Sequence, residues 1–166
     1  MAAPTTETDV GIVRLPAGFD RWQELLDLIR RAFAYMDGVI DPPSSAHRLT
    51  AGLLEKKAGA ETVLVATADG KLVGCVSVED RGDHAYLGKL AVDPALQGRG
   101  IGRRLVEAAE AEALRQGKRV IELQTRIELT HNQAAFAKLG FRETGRTAHE
   151  GFSRPTSVTM RKELSA

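Results

Sequence analysis

"VDPALQGRGIGRRL", residues 92–105, sets glycines at positions 98, 100 and 102 and then passes into a helical pattern. Alternating glycines at a helix start serve either a tight turn or a backbone bared so that a phosphate can approach. Spacing separates the candidates. A dinucleotide loop needs G-x-G-x-x-G between strand and helix, with an acidic residue about 20 positions on. Glu122 is suitably placed, but the last glycine would have to stand where the chain has Arg103 or Leu105. This disfavours a nucleotide-dependent oxidoreductase. A nucleotide P-loop needs Lys followed by Ser or Thr after the glycines, and none follows. The surviving pattern is Q-x-x-G-x-G, Gln97 to Gly102, opening a helix that carries Arg103 and Arg104.

Outward from this loop the hydrophobic period changes. Ile101, Leu105, Ala109 and Ala113 recur every four residues, one face of a helix, with Arg103 and Glu107 able to pair outside it and Gly117 as its stop. "HAYLGKLAVD" (84–93) before the loop and "KRVIELQT" (118–125) after the helix read as strands, so a right-handed crossover joins parallel neighbours. "ETVLVATA" (61–68) and "LVGCVSVED" (72–80) flank a turn at Asp69–Gly70, which predicts an antiparallel hairpin. "VGIVRL" (10–15) predicts a short first strand. Trp22, Leu25, Leu26, Ile29, Phe33 and Met36 predict an amphipathic helix, with Asp20 and Gln23 as a capping box and Pro42–Pro43 ending the segment. "SSAHRLTAGLLEKKAG" (44–59) predicts a second, shorter helix. In "ELTHNQAAFAKLGF" (128–141) a last helix is expected, with Thr130 as N-cap, Gln133 closing a capping box and Gly140 past the end. "FRETGRT" (141–147) and "PTSVTMRKEL" (155–164) predict two closing strands, Val158 and Met160 sharing a face. The fold class expected is α/β: a mixed sheet, an antiparallel meander with one parallel crossover, and helices on both faces.

Composition bounds the rest. A chain of 166 residues buries one good core, so residues 10–166 are expected to form a single domain after a short disordered lead, residues 1–9. The lead lacks the basic start and apolar run of a signal peptide, and no segment has membrane-spanning length. With 23 Lys and Arg against 22 Asp and Glu, nothing points to nucleic acid or an anionic membrane as partner, so an anion site must be local. The single cysteine, Cys75, excludes an internal disulfide and a cysteine-based zinc cluster, reads as a buried core residue, and suits a reducing cytoplasm. No metal site is expected.

Gln97 to Gly102, the strand "YLGKLAVDP" (86–94) before it and "NQAAFAKLGF" (132–141) after it together resemble the GNAT superfamily of acetyl-CoA-dependent N-acetyltransferases. The resemblance spans nearly the whole chain. It implies that the acetyl-CoA pyrophosphate lies on Gln97, Gly98, Arg99, Gly100, Ile101, Gly102 and Arg103. A helix N-terminus gives this a physical basis, since its free N–H groups and positive dipole end stabilise an anion. By the same resemblance Leu90, Ala91 and Val92 offer backbone groups to pantetheine, Asn132 contacts it, and the Val92 amide stabilises the oxyanion of a tetrahedral intermediate. A bulge near here would splay this strand from "RVIELQT" and open the slot where thioester meets amine. A homodimer through the C-terminal strands is implied as well.

Where many relatives carry a tyrosine, five residues before the phenylalanine of "KLGF", this chain has Phe136, which donates no proton and packs beside the cofactor or into the core. An alkyl ammonium has a pKa near 10.4, so a base or water chain must deprotonate the acceptor. Glu79, at a strand end beside the slot, is the first candidate base. Tyr86, eleven residues before Gln97 where histone-acetylating relatives place a glutamate, is a candidate acid or a ring against the substrate. His131 and His149 are the other groups titrating near neutrality. The expected function is acetyl transfer from acetyl-CoA to a primary amine of a small molecule or peptide; the alternative is a non-catalytic acyl-CoA-binding sensor or interaction domain.

Overall fold

The computed structural model describes residues 9–165, so the expected disordered lead lies outside them except for Asp9. Seven strands, β1 (Gly11–Arg14), β2 (Thr62–Ala68), β3 (Lys71–Asp80), β4 (Ala85–Val92), β5 (Val120–Arg126), β6 (Arg142–Thr147) and β7 (Ser157–Glu163), form one sheet in the order β1-β2-β3-β4-β5-β7-β6. Every neighbouring pair is antiparallel except β4 and β5. The crossover between those two runs through α3 (Ile101–Arg115), as its four-residue apolar period requires. The remaining helices are α1 (Trp22–Phe33), α2 (Ala51–Ala58) and α4 (Thr130–Lys138).

Strand alternation sorts the side chains into two cores. Val76, Val78, Leu87, Leu123, Val158 and Met160 pack on Leu105, Val106 and Ala109 of α3. On the other face Val65, Cys75 and Ala91 pack on Leu25, Leu28 and Ile29 of α1 and Leu54 of α2. Because successive side chains of a strand point to opposite faces, Glu79, Tyr86, Gln124 and Arg126 fall on the α1–α2 face.

Local signals at three helix starts resolve differently from the sequence expectation. The Asp20–Gln23 capping box does not form: Arg21 is the N-cap of α1, its guanidinium grips Glu24 through two bonds of 2.7 Å, and Gln23 donates to Asp27 at 2.9 Å. α1 stops at Phe33, and a 3-10 turn, Ala34–Met36, carries the buried Met36 before the prolines. Residues 44–59 hold two elements rather than one. The Ser44 hydroxyl accepts from Ala46 N–H to start a 3-10 turn (Ser45–Arg48), Leu49 is extended, and Thr50 accepts from Leu53 N–H to start α2. In α4 Leu129, not Thr130, is the N-cap; Gln133 spends its amide on the carbonyls of Arg126 and Ile127, 3.1 Å each, tying the helix to the end of β5. No helix among the described residues is long and apolar enough to cross a membrane.

Candidate active site

The site begins with an irregularity in β4. The register Cys75↔Ala91 and Gly74↔Val92 is one step out from Ser77↔Gly88 and Glu79↔Tyr86, so β4 carries an extra residue between Gly88 and Ala91. Lys89 there adopts φ +50, and its ammonium meets the Glu61 carboxylate at 2.8 Å. Such a bulge bends its strand. β4 and β5 pair only at Ala85↔Ile121 and Tyr86↔Glu122, and beyond that point they part. The parting is the bottom of a cleft of about 1770 Å³ reaching from the glycine loop to the α1–α2 face.

Backbone directions along β4 decide what the cleft can bind. Asp93 N–H donates to Val73 O at 2.8 Å, so by antiparallel alternation Ala91 spends its N–H and C=O on Cys75, while Val92 between them points its own groups to the opposite edge. That edge has lost β5. Of the three residues expected to offer backbone to pantetheine, Leu90 and Val92 are therefore the available ones, and Ala91 lines the cleft without free groups.

At the far end, Gly98 and Gly100 hold φ +80 and +79, which keeps Cβ atoms away and turns the chain into α3 with Gly100 as N-cap. The first backbone N–H of this helix to find an acceptor is that of Arg104, on Gly100 O; those of Gly98 to Arg103 donate to none among the described residues. A row of free N–H groups at a 15-residue helix start, with open space where the Cβ atoms of Gly98 and Gly100 would stand, fits a pyrophosphate. Gln97, Gly98, Gly100, Ile101, Gly102 and Arg103 line the cleft; Arg99 is exposed and does not. Arg103 pairs with Glu107 at 3.1 Å, as the spacing predicted.

On the α1–α2 face Glu79 and Tyr86 stand opposite each other across β3 and β4, joined by Arg81. The guanidinium of Arg81 lies 3.6 Å over the Tyr86 ring centre and donates to Glu79 at 3.3 Å. Burial raises the Tyr86 pKa, and Arg81 offsets part of that rise, so the hydroxyl keeps its proton at neutral pH. His149, on the loop between β6 and β7, lies within hydrogen-bond distance of the Thr156 hydroxyl; burial, then the charges of Arg126 and Arg48, lower its pKa. His131 is exposed on the cleft wall.

Asn132 and Phe136 reach the cleft from α4. The Asn132 amide donates to the Tyr35 hydroxyl at 2.9 Å, a link between α4 and the 3-10 turn after α1 that the sequence did not suggest. Phe136 packs edge-on against Phe141, centroids 5.9 Å apart, so it serves the core and the cleft wall together. Cys75 is buried, donates to Lys89 O, and has its thiol pushed up to about 12, as a core residue rather than a nucleophile. Sequence reasoning missed Arg48, Arg81 and Arg126: a lone arginine at a strand or turn end carries no local signature until the fold shows what lies beside it.

A sequence model described as the acetyltransferase (GNAT) family matches residues 22–141. The chain is similar to an IAA acetyltransferase of Azospirillum brasilense, 31% identical over 142 residues, covering 84% of this chain and 90% of the relative. It is also similar to an aminoglycoside N(6')-acetyltransferase type 1 of Stenotrophomonas maltophilia, 33% identical over 95 residues, 52% of this chain and 62% of the relative. Among solved structures it shares its fold with the PaiA N-acetyltransferase of Thermoplasma acidophilum in complex with coenzyme A. The TM-score is 0.72 at 18% identity, over 94% of this chain and 99% of that one.

Proposed function

Because the chain belongs to the acetyltransferase (GNAT) family, whose cosubstrate is acetyl-CoA, we propose that it is an N-acetyltransferase that passes the acetyl group to a primary amine of a small molecule or peptide by direct attack. Acetyl-CoA supplies an acyl group activated as a thioester, with a thiolate to leave. The chain's own residues do the rest. The free N–H groups of Gly98 to Arg103 hold the pyrophosphate, Leu90 and Val92 align the pantetheine arm by strand-like bonds, and Asn132 and Phe136 flank it. The Val92 N–H, turned to the slot and unpaired by β5, stabilises the oxyanion, the kind of preorganised donor that typically contributes most to acyl transfer. Glu79 takes the proton of the incoming ammonium and Tyr86, protonated at neutral pH, returns one to the leaving sulfur. The observation that carries this reading is the bulged β4, which frees Val92 in the same cleft that ends on the unpartnered N–H row.

The same reading takes residues 10–166 as one catalytic domain, the cytoplasm as the setting of the lone free thiol, and a homodimer through the C-terminal strands, since β6 is an open sheet edge. Phe136 alone favours the second reading, a non-catalytic acyl-CoA-binding domain. Mixing the protein with acetyl-CoA and a panel of amines, and following free thiol, separates the two. Amine-dependent thiol release that disappears in Gly100→Glu, whose carboxylate meets the pyrophosphate, supports the transferase. Tight coenzyme A binding with no release for any amine supports the binding domain.

A further inference from the structure

The cleft's ionic pairing is lopsided. Four carboxylates line it, and each is already paired with a lining cation: Glu61 with Lys89, Glu79 with Arg81, Glu107 with Arg103 and Glu110 with Lys162. Arg48, Lys57, Arg126 and Lys138 line it too, and none has a carboxylate within 4.0 Å among the described residues. Lys138 is on α4, whereas the other three come from the turn before α2, from α2 itself and from the α1–α2 face of β5.

Arg126 is the most constrained of them. One N–H₂ donates to Pro43 O at 3.2 Å, while Nη1 is buried without any acceptor. Glu128 and Asp41, whose charges act on Arg126, stay off the cleft wall: Asp41 pairs with Arg154 at 3.2 Å, and Glu128 accepts the Asp41 N–H at 2.9 Å through one oxygen while its other oxygen is buried without a partner. Arg126 lines the cleft together with His149, whose pKa is lowered first by burial and then by the charges of Arg126 and Arg48, with Glu128 opposing. A cleft wall of unpaired cations repels a polycation and attracts a compensating anion.

Resting on the transferase reading above, we propose that the acceptor amine carries its own carboxylate, docked beside Arg126 and Arg48. Its substrates are therefore zwitterions such as free amino acids.

The test is the thiol-release assay with the L-amino acids, each beside its α-carboxamide, and with spermidine. The amino acids that turn over should exceed their amides by about tenfold or more in kcat/KM, spermidine should fall below both, and Arg126→Ala and Arg48→Ala should bring the acid-to-amide ratio toward one through KM. Arg126 also ties Pro43 to β5, so the exposed Arg48→Glu repeats the measurement where the Arg126 variant unfolds. Amides or spermidine turned over as well as the acids, or a ratio that survives these substitutions, overturn the proposal. If coenzyme A binds but no amine releases thiol, the transferase reading is what fails; calorimetric titration of the coenzyme A-loaded protein with the same pairs then decides the docking site. Equal binding of acid and amide, or none, refutes it.

Discussion

Glu112 is the most heavily bonded carboxylate among the described residues, and replacing it by glutamine gives a stability prediction that can be worked through. It sits on α3 with 1% of its surface exposed, and accepts from Arg14 of β1 at 2.5 Å, from Arg115 by two bonds, and from Gln116 at 3.1 Å. Burial by itself would raise its pKa; the bonds from Arg115 and Gln116 and the charges of Arg115 and Arg14 outweigh that and hold it below the ordinary value of 4.5. Glu112→Gln keeps the shape but turns one oxygen into a donor facing guanidinium donors. Charge-assisted bonds are worth about 1.5–3 kcal/mol each. The side chains of Arg14 and Arg115 are 61% and 66% exposed and rehydrate readily, so the net loss is nearer about 2 kcal/mol at pH 7. That corresponds to roughly 4–8 °C in Tm for a domain of this size. The sign with pH follows from the depressed value: the contribution is complete above the unfolded pKa and fades as pH falls through the folded one. Urea unfolding of both proteins should therefore show the full gap at pH 7 and a shrinking gap below about pH 4. A gap under about 0.5 kcal/mol at pH 7, or one that widens in acid, would refute the reasoning.

Three further outcomes can be measured. Gly74→Val places a Cβ 2.9 Å from Leu105 Cδ1, 3.1 Å from Ala91 O and 3.3 Å from Ala66 Cβ, so it should cost about 1–3 kcal/mol and raise the KM for acetyl-CoA by shifting β4 beside Val92; unchanged urea unfolding would contradict this. With its thiol pushed up to about 12, Cys75 should react with a disulfide reagent at pH 8 only after unfolding, and fast modification of the native protein would count against its burial. Arg81→Ala removes the charge over the Tyr86 ring, so ultraviolet titration in a Tyr35→Phe background should move the phenol further up; a downward shift would show that Arg81 does not act on it.

The half of the cleft proposed to hold the cofactor was legible in the sequence because its determinants are local. Glycines at 98 and 100 announce the positive φ values they adopt, and the four-residue period from Ile101 announces the helix they open. Capping was less legible, since polar side chains near a helix start have several partners to choose from. Gln133 reached back to β5 and Gln23 forward to Asp27, and neither partner is visible from the residue type alone. The bulge was foreseen near β4, yet the residue that turns it is not the adjoining Gly88: Lys89 holds φ +50 itself, anchored by Glu61 across 28 positions of chain.

The acceptor half fails to appear in the sequence for a stronger reason. The proposed specificity rests on which charges are left over after pairing, and pairing is a property of the whole fold. Near-neutral composition hid this, because 23 basic residues against 22 acidic ones say nothing of where the unpaired ones collect. Lining carboxylates are all paired with partners on the cleft wall, whereas Arg48 and Arg126, 78 positions apart, line the same cleft with no acid of their own at contact distance among the described residues. A thioester site with this wall is complementary to an amine whose own charge is balanced. On the proposed reading, the two strands that part at Tyr86 make one site from two halves: a backbone half, written in glycines, to receive the cofactor, and a charge half, written only in the folded chain, to select the acceptor.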